Sequence, residues 1–103
     1  MKTAQFDHVA FEVKDVKASV AWYLENYEDS CVIYSDDTWG MVAIDGVKIA
    51  LVLEGTHPSH VAIRQTCPVP PEAKRHRDLT YYVYDKDPDG NTIERIWYPH
   101  SDD

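Results

Sequence analysis

The stretch "SHVAIRQ", residues 59–65, repeats a stretch near the beginning of the chain, "DHVAFEV", residues 7–13. Each copy places a histidine, His8 or His60, at the start of an alternation of residues that is typical of a β-strand with one buried face. A strand that occurs twice in 103 residues indicates an internal repeat. We therefore expect other parts of the two copies to align as well.

A second point of alignment is a turn and the strand that follows it. The stretch "DGVKIAL", residues 45–51, lies over "DGNTIER", residues 89–95. His8 and His60 are 52 positions apart, whereas Gly46 and Gly90 are 44 positions apart, so the second copy is eight residues shorter. The missing residues fall where the second copy would have its helix.

The first copy predicts a strand, a helix and three further strands. Asp15 is a candidate N-cap, and apolar residues recur after it at helical spacing as far as Tyr27. The pair Asp45-Gly46 is a typical hairpin turn between two alternating segments. The three predicted strands after the helix are "CVIYS", "TWGMVAI" and "VKIALVLE".

The second copy keeps strands but not the full helix. Its predicted strands are "HVAIRQ", "LTYYVYDK" and "NTIERIWYP". The proline-rich segment "TCPVPPEAKRHRD", residues 66–78, leaves room for a short helical turn at most. The predicted fold class is α+β: one domain, residues 1–103, built from two βαβββ modules at about 4–55 and about 58–99, the second with its helix shortened.

Composition and charge restrict the classes of partner. The formal net charge is −8, from 18 acidic and 10 basic residues, which repels nucleic acid and anionic membranes. The chain begins without the apolar segment of a signal peptide, and it has no run of roughly 18 apolar residues. We therefore expect a cytoplasmic protein whose partners are small molecules or copies of itself, with Cys31 and Cys67 as reduced packing residues.

Three residues at matching repeat positions could bind a metal ion. His8 and His60 begin the first strands of the two copies, and Glu94 lies on the last strand of the second copy. Two imidazoles and one carboxylate form the facial triad that holds a divalent metal and leaves other positions open. A single strand histidine is more often a core or surface residue, but three such residues at equivalent places favour one site. Ala50, which aligns with Glu94, cannot bind a metal.

The chain resembles the vicinal oxygen chelate superfamily, which includes glyoxalase I, fosfomycin-resistance proteins, bleomycin-resistance proteins and extradiol dioxygenases. The resemblance covers nearly the whole chain. The stretches that carry it are "FDHVAFEV", "VAWYLENY", "GVKIALVLEGTHPSHVAI" and, most specifically, "YDKDPDGNTIERIWYP". It implies paired βαβββ modules whose curved mixed sheets enclose a metal site, with His8, His60 and Glu94 as the metal ligands.

The departures from the family patterns bear on the reaction. Ala50 stands where glyoxalase I has a fourth, carboxylate ligand, and Ala10 stands where fosfomycin transferases have a catalytic threonine. The resemblance therefore implies a three-ligand enzyme for a small substrate with neighbouring oxygens, and neither a glyoxalase reaction nor fosfomycin as substrate. Lyase, isomerase, dioxygenase and transferase chemistry stay open, with lyase or dioxygenase chemistry favoured. Fe²⁺, Mn²⁺, Ni²⁺ and Zn²⁺ all suit the ligand set.

Other side chains are candidates for proton transfer and substrate binding. Tyr84 matches a tyrosine that faces the site in several members, and we predict that Tyr84 or His76 transfers protons. Candidate substrate-binding residues are Arg75 and Arg77, for an anionic group, together with Tyr82 and Trp39. The alternatives are that the tyrosines only pack the sheet and that the basic run is a solvated loop. His57 is expected to be part of a connection.

A second reading is a binding protein without catalysis, as the bleomycin-resistance members are. Its cleft would hold a cationic or aromatic molecule between Trp22, Trp39, Tyr82 and Tyr84. Both readings expect a homodimer, because the second copy lacks a full helix to cover its apolar residues, Ile63, Ile93 and Trp97. Relatives often build each site from two chains, which leaves open whether His8 joins His60 of its own chain or of a partner.

Overall fold

The computed structural model describes residues 4–66 and 68–98, which form two compact units. We call His8–Ser59 the first module, and the described residues of Met1–Asp7 and His60–Asp103 the second module. The elements in chain order are β1 Ala4–Val13, α1 Val16–Asn26, β2 Ser30–Ser35, β3 Trp39–Ile44, β4 Val47–Leu53, β5 His60–Gln65, β6 Lys74–Arg75, β7 Tyr81–Lys86 and β8 Thr92–Trp97.

The strands of the first module follow the order β2-β3-β4-β1, with β1 parallel to β4 and the other pairs antiparallel. Helix α1 begins at Asp15, whose carboxylate accepts a hydrogen bond of 3.0 Å from the Ala18 N–H. The β3–β4 turn has Asp45 and Gly46 at φ 52° and 77°, the left-handed values that a tight hairpin needs. The sequence therefore predicted both the start of the helix and this turn.

The core of the first module lies between α1 and the strands. Val16 and Val20 of the helix pack with Val42 of β3 and Leu51 of β4. Gly40 lets the helix approach β3 closely, because a Cβ at this position would lie 3.0 Å from Val20 Cγ2. Apolar burial of this kind is the main source of stability for an amphipathic helix.

The strands of the second module follow the order β5-β8-β7-β6, again with one parallel pair, β5 with β8. We predicted that the helix of the second module is shortened. Among the described residues between β5 and β6 there is no helix at all. The segment instead ends in the two-residue strand β6. Asp87 builds the turn before β8, since its carboxylate accepts hydrogen bonds from the N–H groups of Asp89 and Asn91 at 3.0 and 2.8 Å.

The two modules share one internal register, which confirms the repeat. Ala10 lies opposite Ala50 in the first module, and Ala62 lies opposite Glu94 in the second. On the other side of the same strands, Met41 pairs with Ala50 and Tyr84 pairs with Glu94. The alignment of Ala50 with Glu94 is therefore a structural equivalence, and the α+β fold class is confirmed.

Several smaller expectations are corrected. Cys31 is exposed rather than packed, because β2 is an edge strand with little covering it. Trp97 is buried, with only 2% of its surface exposed, because β8 is paired on both sides within the second module. Ile63 and Ile93 are partly buried. Cys67 lies outside the described residues. No helix in the described part of the chain has the length and apolar character that crossing a membrane requires.

Candidate metal centre

His60 and Glu94 meet on neighbouring parallel strands of the second module. His60 is the first residue of β5, and Glu94 lies in the middle of β8. The distance from His60 Nε2 to Glu94 Oε1 is 3.4 Å, and their side chains are 4% and 1% exposed. The repeat placed these two residues correctly in the strands that now bring them together.

His76 contacts the second oxygen of the same carboxylate. Its Nε2 lies 2.6 Å from Glu94 Oε2, while its ring stacks on Tyr82 with centroids 3.8 Å apart and planes 13° from parallel. Each oxygen of Glu94 therefore has its own imidazole. The sequence pointed to His76 only as a candidate for proton transfer in a basic run, and no spacing rule linked it to Glu94.

The histidines control the charge of Glu94. Burial alone raises the pKa of this carboxyl group, but the hydrogen bonds and charges of His60 and His76 outweigh burial and lower the pKa to about 2. Glu94 is consequently an anion at neutral pH although it is almost fully buried. A buried anion requires cationic or hydrogen-bonding partners, and the imidazoles provide them.

Tyr84 extends the cluster from β7. Its ring centroid lies 5.3 Å from that of His60 and 5.0 Å from that of Tyr82. Burial, and then the negative charge of Glu94, raise the pKa of Tyr84 well above its ordinary value of 10, and the same two causes raise the pKa of Tyr82. Tyr84 therefore keeps its proton at neutral pH and can donate a hydrogen bond.

His8 begins the first module, on β1, and is 8% exposed. It directly follows Asp7 of the second module, whose carboxylate accepts a hydrogen bond of 2.8 Å from the Tyr98 hydroxyl. The three predicted metal ligands, His8, His60 and Glu94, are all buried. Ala50, at the position equivalent to Glu94, is buried and has no ligand atom.

The two arginines predicted to bind substrate are on or next to the short strand β6. Arg75 is exposed, and its guanidinium carbon lies 5.6 Å from the centroid of the Tyr81 ring. Arg77 is exposed in the connection between β6 and β7. Both are accessible to an anionic molecule from solvent.

The two tryptophans considered for a binding cleft lie in the first module. Trp39 is partly buried on β3 and packs on Tyr34, with ring centroids 4.4 Å apart. Trp22 is 51% exposed on α1, where it packs edge-on against Tyr23 and Tyr27. Each tryptophan thus has an aromatic partner within its own module.

No family model and no curated protein matches this sequence. Among solved structures, the chain is similar to a glyoxalase/bleomycin resistance protein/dioxygenase superfamily member from Vibrio splendidus 12B01, with 16% identity, a TM-score of 0.61, and coverage of 94% of this chain and 98% of that one. Two further similar structures have TM-scores of 0.42. One is an integron cassette protein from the mobile metagenome of V. Cholerae, with 20% identity and coverage of 95% of this chain and 98% of that one. The other is a structure from the mobile metagenome of V. Pseudocholerae, with 17% identity and coverage of 95% and 97%. The first likeness extends over 94% of this chain, and the chain therefore has the fold of the glyoxalase/bleomycin resistance protein/dioxygenase superfamily.

Proposed function

We propose that this protein binds a divalent metal ion through His8, His60 and Glu94 and acts as an enzyme on a small substrate with neighbouring oxygens. The observation that carries the proposal is the burial of Glu94 beside His60: its side chain is 1% exposed, and its Oε1 lies 3.4 Å from His60 Nε2. A buried carboxylate next to an imidazole is a donor pair suited to Fe²⁺, Mn²⁺, Ni²⁺ or Zn²⁺. The choice among these metals belongs to experiment.

His8 is the third ligand in this proposal on grounds of equivalence. It lies two residues before Ala10 on β1, as His60 lies two residues before Ala62 on β5, and Ala10 and Ala62 have the same register in their modules. It is buried, and an imidazole in that state needs a polar partner or a metal. Two histidines and one glutamate leave coordination positions for water or substrate oxygens.

The chemistry follows from what surrounds these ligands. A divalent metal bound here supplies Lewis-acid stabilisation of negative charge on a substrate oxygen. Tyr84, which stays protonated, donates a hydrogen bond or a proton to the substrate. The exposed guanidinium groups of Arg75 and Arg77 attract an anionic substrate. Lyase, isomerase, dioxygenase or transferase reactions all fit this arrangement.

The test is a measurement of bound metal. Protein purified without chelators is incubated with Mn²⁺, Fe²⁺, Ni²⁺ or Zn²⁺, and bound metal is measured by atomic emission spectroscopy after desalting. We expect about one ion per chain with at least one of these metals. His60→Ala should lose the ion, and His57→Ala, a histidine three residues earlier in the connecting loop, should retain it. Wild-type protein without metal, or His60→Ala with as much metal as wild type, contradicts the proposal.

We also propose that the protein is a homodimer. The edge strand β2 exposes Val32 and Ile33, at 42% and 53%, and a second copy of the chain could cover this edge. Sedimentation at micromolar concentration should give twice the mass of the chain. A monomer under these conditions contradicts the proposal and also the variant of the site in which His8 is contributed by a partner.

A second candidate function is sequestration of a cationic small molecule without catalysis. The net charge of −8 and the aromatic group of His76, Tyr82 and Tyr84 favour it. Binding of a cationic aromatic dye is followed by fluorescence in the presence and absence of a chelator. Tight binding that is unchanged by the chelator and is lost in Tyr82→Ala supports sequestration. Binding that requires metal, or no binding at all, contradicts sequestration without metal.

A further inference from the structure

We infer that His76 is a positioning residue that holds the Glu94 carboxylate by one oxygen, so that the other oxygen is presented for metal binding. This inference rests on the proposed metal site. His76 Nε2 lies 2.6 Å from Oε2, whereas His60 Nε2 lies 3.4 Å from Oε1, so the two oxygens have different partners. A carboxylate that binds a metal is deprotonated and only accepts hydrogen bonds, so His76 Nε2 carries the hydrogen in the proposed site.

His76 is itself fixed in place by its own backbone and ring. Its N–H donates a hydrogen bond of 2.8 Å to the Thr80 carbonyl, and its carbonyl accepts one of 3.0 Å from the Leu79 N–H. Its ring stacks on Tyr82, which lies on β7 next to the strand that carries Glu94. Because the His76 side chain is already held in place before a metal binds, it loses little conformational entropy when it orients Glu94.

The first module stabilises the turn after its edge strand with an aspartate. The residue after edge strand β2 is Asp36, as His76 is the residue after β6, and the Asp36 N–H likewise donates across its hairpin, to the Trp39 carbonyl at 2.9 Å. The side chain of Asp36 accepts hydrogen bonds from the N–H groups of Thr38 and Trp39. It therefore stabilises this turn.

In the second module a different residue stabilises the turn. Asp78 Oδ1 accepts hydrogen bonds from the N–H and the hydroxyl of Thr80, at 3.1 and 2.6 Å. The side chain of His76 is not required for that purpose and reaches Glu94 instead. The carboxylate and the histidine that contacts it thus occur together in the second module, whereas the first module has Ala50 at the position equivalent to Glu94.

The expected consequence concerns metal affinity. Residues that hydrogen-bond to a metal ligand typically contribute roughly 10- to 100-fold to the binding constant, because they hold the ligand in the orientation that the metal requires. His76→Ala should weaken metal binding by that factor. His76→Gln, whose amide nitrogen can reach Oε2, should recover most of the affinity, and His76→Asn, whose amide is too short to reach it, should not.

The experiment uses the full chain with Zn²⁺ for affinity, by competition against a chromophoric chelator, and Co²⁺ for the visible absorption spectrum. Circular dichroism and the thermal midpoint show that each variant is folded. Lys74→Gln, an exposed change on β6, is the matched control and should bind Zn²⁺ as wild type does. We expect weaker binding and an altered Co²⁺ spectrum in His76→Ala and His76→Asn, and values within about threefold of wild type in His76→Gln.

The outcomes separate this inference from the proposed function. Wild-type protein that binds neither metal defeats the proposed function, and the inference with it. Wild-type protein that binds Zn²⁺ while His76→Ala binds it equally well defeats the inference alone. Loss of binding in His76→Gln as complete as in His60→Ala, with a Co²⁺ spectrum that has lost a nitrogen ligand, also overturns it, because His76 would then be a ligand itself.

Discussion

At the residue scale, the molecule contains a few partly or fully buried polar pairs whose partners are distant in sequence. The hydroxyl of Tyr98 donates a hydrogen bond of 2.8 Å to the Asp7 carboxylate, and the Arg64 guanidinium lies 4.4 Å from the centre of the Tyr98 ring. These three residues belong to the second module. The Asp7 carboxylate, like that of Glu94, loses part of its hydration when the chain folds. A hydrogen-bond donor compensates for this loss in each case.

Tyr98→Phe tests the value of this hydrogen bond. The change removes the donor and leaves the ring, so the free energy of unfolding should fall by about 1 kcal/mol. Urea denaturation of wild type and variant measures the difference. Tyr81→Phe, whose ring packs under Arg75 in the same module, is the control and should change stability by less. Equal losses in the two variants would mean that the Asp7 contact contributes nothing.

Asp36 predicts how stability depends on pH. Hydrogen bonds from the Tyr34 hydroxyl, then from the N–H groups of Trp39 and Thr38, hold the pKa of Asp36 well below its ordinary value of 3.8. Because the folded-state pKa is lowered, this carboxylate stabilises the fold above pH 3.8 and the contribution is lost as the pH falls below that value.

We expect Asp36→Asn to flatten the loss of stability between about pH 5 and about pH 2, because the variant has no proton to take up there. Thermal midpoints measured across this interval give the slope. Asp37→Asn, a change at the exposed neighbouring residue, is the control for the loss of one negative charge. Parallel curves for wild type and Asp36→Asn would show that the hydrogen bonds to Asp36 have no effect on its protonation.

The repeat explains which site residues could be predicted. His8, His60 and Glu94 stood out because each has a counterpart at the matching position, and a local pattern marked their strands. The contact between His76 and Glu94 had no such signal. It depends on the path of a proline-rich loop and on a turn in which Leu79 has φ 74°. This is a left-handed conformation, which a leucine in the sequence does not predict.

At the scale of elements, helix α1 and strand β3 of the first module approach closely at Gly40. Gly40→Ala would place a methyl group 3.0 Å from Val20 Cγ2 and 3.2 Å from Val16 Cγ1. The helix must then move or the side chains must leave their preferred rotamers. We expect a loss of roughly 1–3 kcal/mol in the free energy of unfolding.

A double-mutant cycle distinguishes crowding from other causes. Val20→Ala removes the contacting methyl groups, so Gly40→Ala should cost less in the Val20→Ala background than in wild type. Denaturant unfolding of the four proteins gives the coupling energy. Strict additivity of the two changes would exclude steric contact as the reason for the glycine.

Elements with strong local sequence signals could be predicted, and elements with weak local signals could not. Asp15 and the Asp45-Gly46 pair specified a helix start and a hairpin through their own backbone preferences. Strand β6 was missed because its two residues are too few to show alternation. Its existence follows from pairing with Tyr81 and Tyr82, which is a tertiary effect.

At the scale of the whole molecule, the net charge of −8 opposes compactness. Raising NaCl from about 0.01 M to about 0.1 M shortens the screening length from about 30 Å to about 10 Å. The thermal midpoint should therefore rise with salt. Glu28→Gln with Asp29→Asn, two exposed changes, reduces the charge and should reduce the rise. A midpoint that falls with salt would mean that attractive ion pairs outweigh the repulsion.

The division of β1 between the modules has a consequence for how the chain folds as it is made. The first module, His8–Ser59, is continuous in sequence, whereas the second joins residues 4–7 to those from His60 onward. The hydrogen bond between Asp7 and Tyr98 spans 91 positions. On the ribosome, the first module can therefore complete its core while the second half is still being translated. The amino-terminal residues, although synthesised first, are among the last to find their native partners, because the final strand must leave the exit tunnel before Tyr98 can reach Asp7.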